Sequence, residues 1–173
     1  MKDTLEDLKS RRSCRKYEPR QISKDELDAV LEAAQYAPTG HGQQSPQMVV
    51  VQDPELIRKL SRLNAEVMGT TRDPFYGAPT LVIVFADASS RTGTQDACSV
   101  MVTLLNAAHA VGLGSCWINR AKEMFELPEG FELLQKWGIK DNYEGLAICI
   151  LGYEAEGGVM PAKPRREGYV MYV

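Results

Sequence analysis

Apolar positions recur along this chain in two rhythms. In residues 24–36, Leu27, Val30, Leu31 and Ala34 fall three and four apart, the period of a helix with one buried face. Ser23-Lys24-Asp25-Glu26 ahead of them has the layout of a capping box. Residues 4–12 place Leu5 and Leu8 on one face with acids early and bases late, a short amphipathic helix that complements its own dipole. Asp53-Pro54 offers an N-cap and an N1 proline to a helix that runs to about Met68. Residues 94–111 leave so little of their circumference polar that they predict the central helix, which Gly112-Leu113-Gly114 stops. Two short helices are expected at 122–126 and 129–137. The second rhythm is the apolar run, at 48–51, 81–85 and 145–152, with a further strand expected at 115–118. The run at 48–51 reads as a buried strand, and those at 81–85 and 145–152, with no polar alternation, as strands covered on both faces. Residues 38–46 read as a long polar loop and 69–79 as turn formers. Strands separated by helices imply an α+β or α/β layered domain.

At 173 residues and 44% hydrophobic composition the chain suits one packed core, so a single domain spanning 1–173 is expected. Its net charge of -3 argues against nucleic acid as the main partner, because phosphate-backbone binding needs a basic face. No stretch approaches the length of a bilayer span, and Met1-Lys2-Asp3-Thr4-Leu5-Glu6 lacks the layout of a signal peptide. Cytoplasmic residence without a membrane partner is the expectation. Cysteines 14, 98, 116 and 149 stand far apart with no C-x-x-C pair, which points to reduced, mostly buried thiols. His41 and His109 have no carboxylate at paired spacing, so no metal is expected.

Against that acidic background two basic clusters stand out. Arg11-Arg12-Ser13-Cys14-Arg15-Lys16 puts four cations and a hydroxyl into six residues, and Lys163-Pro164-Arg165-Arg166 lies in a proline-extended segment near the other end. Guanidinium groups bind phosphate through paired, charge-assisted hydrogen bonds, so the clusters suit one anionic ligand if the fold brings them together. The first cluster also suits a solvated face with favourable charges at a helix C-terminus, and a nucleic-acid patch is a third reading. The final residues, Tyr169-Val170-Met171-Tyr172-Val173, are too apolar to be left in water and call for a covering surface.

Arg11-Arg12-Ser13-Cys14-Arg15-Lys16-Tyr17, followed by Ala33-Ala34-Gln35-Tyr36-Ala37-Pro38-Thr39-Gly40, resembles the R-R-S-x-R-x-[FY] and A-A-x-x-A-P-[ST] signature of the nitroreductase family. Gly77-Ala78-Pro79, Gly112-Leu113-Gly114-Ser115-Cys116-Trp117, Leu127-Pro128, Leu151-Gly152-Tyr153 and Lys163-Pro164-Arg165-Arg166 resemble later blocks of that family, in order. The resemblance spans nearly the whole chain.

It implies an α+β fold of three layers, α/β/α, with a central mixed, mainly antiparallel sheet and a C-terminal extension swapped onto a partner subunit. It implies a homodimer holding flavin mononucleotide (FMN) at the interface. In the implied ping-pong reaction, NADH or NADPH gives hydride to flavin N5, and a nitroaromatic, a quinone or a similar small acceptor then takes the electrons. Carried over residue by residue, Arg11, Lys163 and Arg165 would hold the FMN phosphate, with Arg12 assisting at the phosphate or ribityl chain. Ser13 and Arg15 would face the pyrimidine end of the flavin, where a cation supports the negative charge that builds at the N1 edge. Pro38, Thr39, Gly40 and Gln44 would reach the flavin from the partner, and Trp117, Ile118 and Asn119 would lie beside the ring. No side chain is expected to act as a nucleophile. The chain departs from the pattern at Gly42, where relatives carry asparagine, and at Ser45-Pro46, where they carry Pro-Trp. It is also short for the family, which implies loss of the inserted helices of a substrate lid. An FMN-binding module without turnover, such as a flavin sensor or carrier, is the alternative to an enzyme.

Overall fold

The computed structural model describes residues 4–173, so the first three residues used in the leader reading lie outside the described residues. Its elements run α1 (Thr4–Ser10), α2 (Lys24–Gln35), β1 (Gln47–Val51), α3 (Pro54–Met68), β2 (Thr80–Asp87), α4 (Gly93–Ala110), β3 (Gly114–Ile118), α5 (Ala121–Glu126), α6 (Pro128–Trp137) and β4 (Tyr143–Gly152). The helix starts obey local chemistry. Ser23 Oγ accepts from the Glu26 amide while the Glu26 carboxylate accepts from the Ser23 amide, closing the capping box of α2. Asp53 caps α3 through the Leu56 amide at 2.7 Å, with Pro54 in the first turn, and Gly69 ends the helix in a left-handed conformation.

The strands form one sheet in the order β1-β2-β4-β3, and every neighbouring pair is antiparallel. The parallel component expected of a mixed sheet is therefore confined, among the described residues, to one isolated bridge between Ser13 and Ser115. Alternate residues of each strand enter different cores. Leu81, Ile83, Phe85, Ile148 and Ile150 pack with Leu60 and Leu63 of α3, Met124 and Phe125 of α5 and Leu133 of α6. Val82, Val84, Ala147, Cys149 and Leu151 pack with Val30 and Ala34 of α2 and Met101, Leu104 and Ala108 of α4. Covering both faces removes the need for polar alternation in β2 and β4, which is why they read as continuous apolar runs; β1, read from sequence as buried, lies at the sheet edge and buries only Val51. The result is the α+β fold in three layers.

One local expectation changes. Residues 11 and 12 lie beyond α1, which ends at Ser10, and the chain from Ser13 to Tyr17 is extended. It threads between β3 and the segment after β4: the Cys14 amide donates to Ser115 O at 2.8 Å, the Arg15 amide to Gly158 O at 2.7 Å, and bridges join Cys14 to Val159 and Tyr17 to Glu154. Cys14 and Tyr17 point into the core, and the Tyr17 hydroxyl donates to Cys14 O at 2.9 Å. The basic cluster is thus pinned to the end of the sheet by the buried side chains of Cys14 and Tyr17 and by backbone hydrogen bonds. Beyond Val159 the chain is exposed throughout, including Tyr169 to Val173.

Candidate active site

At the C-terminal end of β3 the chain encloses a cleft of about 360 Å³. Arg15 enters it from the extended segment, Trp117, Ile118 and Asn119 from β3 and the residues after it, and Arg72, Asp73 and Tyr76 from the loop following α3. Four of the residues singled out from sequence therefore meet here. Ile118 is buried, Trp117 is half-buried and Asn119 is exposed, so the strand end offers an apolar wall turning into a polar rim. The Trp117 indole donates to Asn119 Oδ1 at 2.7 Å, which fixes both side chains.

A buried amide stiffens this wall. Asn64 of α3 has no exposed surface; its Nδ2 donates to Asn119 O at 2.9 Å and its Oδ1 accepts from Arg120 Nε at 3.2 Å. Arg120 also holds a left-handed backbone at φ 72, a conformation a non-glycine residue adopts only where surroundings impose it. The charge balance of the lining is one-sided. Arg15, Arg72 and Arg120 make no ion pair among the described residues. The one carboxylate in the lining, Asp73, is already engaged by Ser61 Oγ and the amides of Phe75 and Gly77.

Other candidates lie apart from this cleft in the single chain. Pro38, Thr39, Gly40 and Gln44 belong to the loop between α2 and β1, where Thr39 and Gln44 line a separate hollow with Ala34, Met48 and Val100. Asp96, a buried carboxylate in the first turn of α4, holds that loop in shape: it accepts from the Gly40 amide at 2.8 Å, Ser45 Oγ at 3.2 Å and Thr92 Oγ1 at 3.0 Å. The loop includes His41 and Gln44 at positive φ, conformations that this anchor helps to impose. Asp96→Ala would strand the part-buried Gly40 N–H, an expected cost of about 1 kcal/mol. Urea unfolding should show it as a lowered midpoint, with Asp96→Asn retaining part of the lost stability.

Arg11, Arg12 and Ser13 are half-buried. The Arg12 guanidinium donates to the carbonyls of Lys9 and Arg11, satisfying the end of α1. That is the helix-terminus role weighed for this cluster. Ser13 joins Ser115 through its backbone. Lys163 and Arg165 are exposed on the tail, where Arg165 donates to Lys163 O at 2.6 Å. Asn64, Arg72, Asp96 and Arg120 were not singled out from sequence. The available signals were an asparagine next to Leu63 on the apolar face of α3 and an aspartate at the start of an otherwise apolar α4.

Comparison with known proteins identifies the family. The Nitroreductase family model matches residues 8–75 and 68–153, which together span most of the chain. A nitroreductase of Bacteroides fragilis solved with bound FMN is 30% identical over the full length of both chains and superposes with a TM-score of 0.91. An FMN-dependent nitroreductase of Clostridium difficile is 25% identical, covers 99% of each chain and gives 0.86. A protein of Methanothermobacter thermautotrophicus with the provisional name NADH dehydrogenase/NAD(P)H nitroreductase is 28% identical over 89% of this chain and 78% of its own. On sequence and on fold alike, this chain belongs to the nitroreductase family.

Proposed function

We propose that this single-domain chain is a cytoplasmic, FMN-dependent NAD(P)H oxidoreductase that works as a homodimer on small molecules, with neither nucleic acid nor membrane as a partner. The observation that carries the reading is the cationic, aromatic-walled cleft that joins Arg15 to Trp117, Ile118 and Asn119. Its chemistry suits a flavin. Among the described residues Arg15 has no carboxylate partner, the half-buried Trp117 and buried Ile118 offer a stacking and packing surface, and Asn119 supplies amide polarity at the rim.

Bound FMN supplies the hydride chemistry at N5, and the protein supplies binding, orientation and electrostatics. Arg15, with Ser13, holds the pyrimidine edge and offsets negative charge there. Arg11, Lys163 and Arg165 clamp the phosphate, the first from one protomer's extended segment and the others from a tail that crosses between subunits, with Arg12 beside them at the ribityl side. Pro38, Thr39, Gly40 and Gln44 approach from the partner, presented by the loop that Asp96 braces. NADH or NADPH and then a nitroaromatic, quinone or related acceptor use the same cleft in turn, in a ping-pong cycle. A dimer also covers what the single chain leaves bare: Leu5 and Leu8 of α1, Val102 of α4 and the apolar final residues are all exposed.

The test is an absorption spectrum of the purified protein. Yellow flavin absorption should be present or develop on adding FMN, bleach under anaerobic NADH or NADPH, and return with a nitroaromatic or quinone. A colourless preparation that refuses FMN would sink the reading. Bound flavin that neither nicotinamide bleaches would instead give a flavin-binding module.

A further inference from the structure

The cleft carries more positive charge than the flavin reading uses. With Arg15 assigned to the pyrimidine edge and the phosphate to Arg11, Lys163 and Arg165, two guanidiniums remain in the lining, Arg72 and Arg120. Neither has an ion-pair partner among the described residues, and the lining's one carboxylate, Asp73, is consumed by three donors of its own loop. This surplus sits in a chain whose net charge is -3, so it is a local feature rather than a general basic character.

Arg120 is not a loose surface cation. Its Nε is committed to Asn64 Oδ1, a wholly buried acceptor, and its backbone holds the left-handed conformation that the Asn64–Asn119 contact helps to impose. Committing Nε to an internal acceptor fixes the plane of the guanidinium and leaves the two terminal nitrogens as its free donors. A planar, oriented pair of donors matches a carboxylate, which can be bound through two parallel charge-assisted hydrogen bonds. A half-buried guanidinium with no ion pair among the described residues has both terminal nitrogens available for such a partner.

We propose that Arg120, oriented by Asn64 and assisted electrostatically by Arg72, is a specificity-determining residue that selects electron acceptors bearing a carboxylate or a comparable anionic group. The inference rests on the flavin reading above, since it is the flavin that such an acceptor would approach. Pyridine nucleotides also carry anionic groups, so the measurement must separate acceptor from donor.

The experiment compares two nitroaromatics of the same shape, 4-nitrobenzoate and 4-nitrobenzamide, with the FMN-loaded full-length protein. The readout is the ratio of their kcat/KM values, with KM for NADH and NADPH measured alongside. The wild type should favour the benzoate, and the preference should shrink as ionic strength rises. Arg120→Gln should lower the ratio about ten-fold, the effect of losing a hydrogen bond to a charged group. Arg120→Lys should fall between, because it keeps charge without the fork. Arg72→Gln should move the ratio the same way by less. A ratio near one in the wild type, or one that Arg120→Gln leaves unchanged, overturns the inference, whether or not the nicotinamide KM moves. Because that result is obtained on yellow, turning-over protein, it leaves the flavin reading standing; a colourless protein that rejects FMN removes both.

Discussion

Arg15→Gln is expected to slow anaerobic bleaching by NADH or NADPH about 100-fold, the low end of what removing one preorganised donor from developing charge costs. The low end applies because Arg15 is exposed in the single chain, so solvent shares the work of stabilising charge. The fold should be untouched. The neighbours that fix this segment are Cys14 and Tyr17, whose side chains are buried, and the Arg15 contact to Gly158 is made by its backbone amide. Stopped-flow reduction and a thermal melt on the same sample separate the two effects: a slowed rate with an unshifted melt is the expected pair. Arg15→Lys should recover part of the rate, since it restores charge but not the planar donor pair. An unchanged rate in Arg15→Gln would place the cation away from the reacting ring and remove it from the mechanism.

If the chain is the proposed homodimer, truncation after Met160 is expected to convert it to a monomer and to abolish retention of FMN through gel filtration. The deleted residues include Lys163 and Arg165 and the five apolar or aromatic residues from Tyr169 to Val173, which are 65% to 117% exposed in the single chain. A soluble protein does not leave such a patch open without a surface to place it on. Lys163→Ala with Arg165→Ala separates the two roles of the tail: it should weaken FMN binding while the elution volume stays that of a dimer. If the truncated protein still elutes as a dimer with a full complement of flavin, the tail neither bridges the subunits nor holds the phosphate.

What could be read from the sequence depended on the range of the interaction. The capping box at Ser23 and Glu26 and the Asp53-Pro54 start of α3 are satisfied within four residues, and both stand in the structure where the sequence puts them. The apolar strands were legible because a sheet covered on both faces prints one uninterrupted signal. Residues 11–17 were harder. Periodicity and charge near a helix end suggest the helix continuing to Arg12, whereas the segment is drawn out straight by bonds to Ser115, Tyr153 and Gly158, which local pattern cannot reveal. The same holds for the cleft. Arg15 and Trp117 to Asn119 were found through motif resemblance, but Asn64 meets Arg120 across 56 positions and Gly40 meets Asp96 across 56. Such pairs are fixed by the packing of α3 and α4 on opposite faces of the sheet. Nothing in their local sequence marks the partner.

The placement of the cysteines has a chemical consequence of its own. Cys14, Cys116 and Cys149 are buried, and desolvation raises the pKa of Cys14 and of Cys149, which favours the protonated thiol. Thiols attack electrophiles as thiolates, so all three are shielded by lack of access, and Cys14 and Cys149 also by a firmly held proton. Quinones are electrophiles of that kind. In the single chain only Cys98 is partly open to them, so a catalyst built this way could process reactive small molecules with little self-inflicted alkylation.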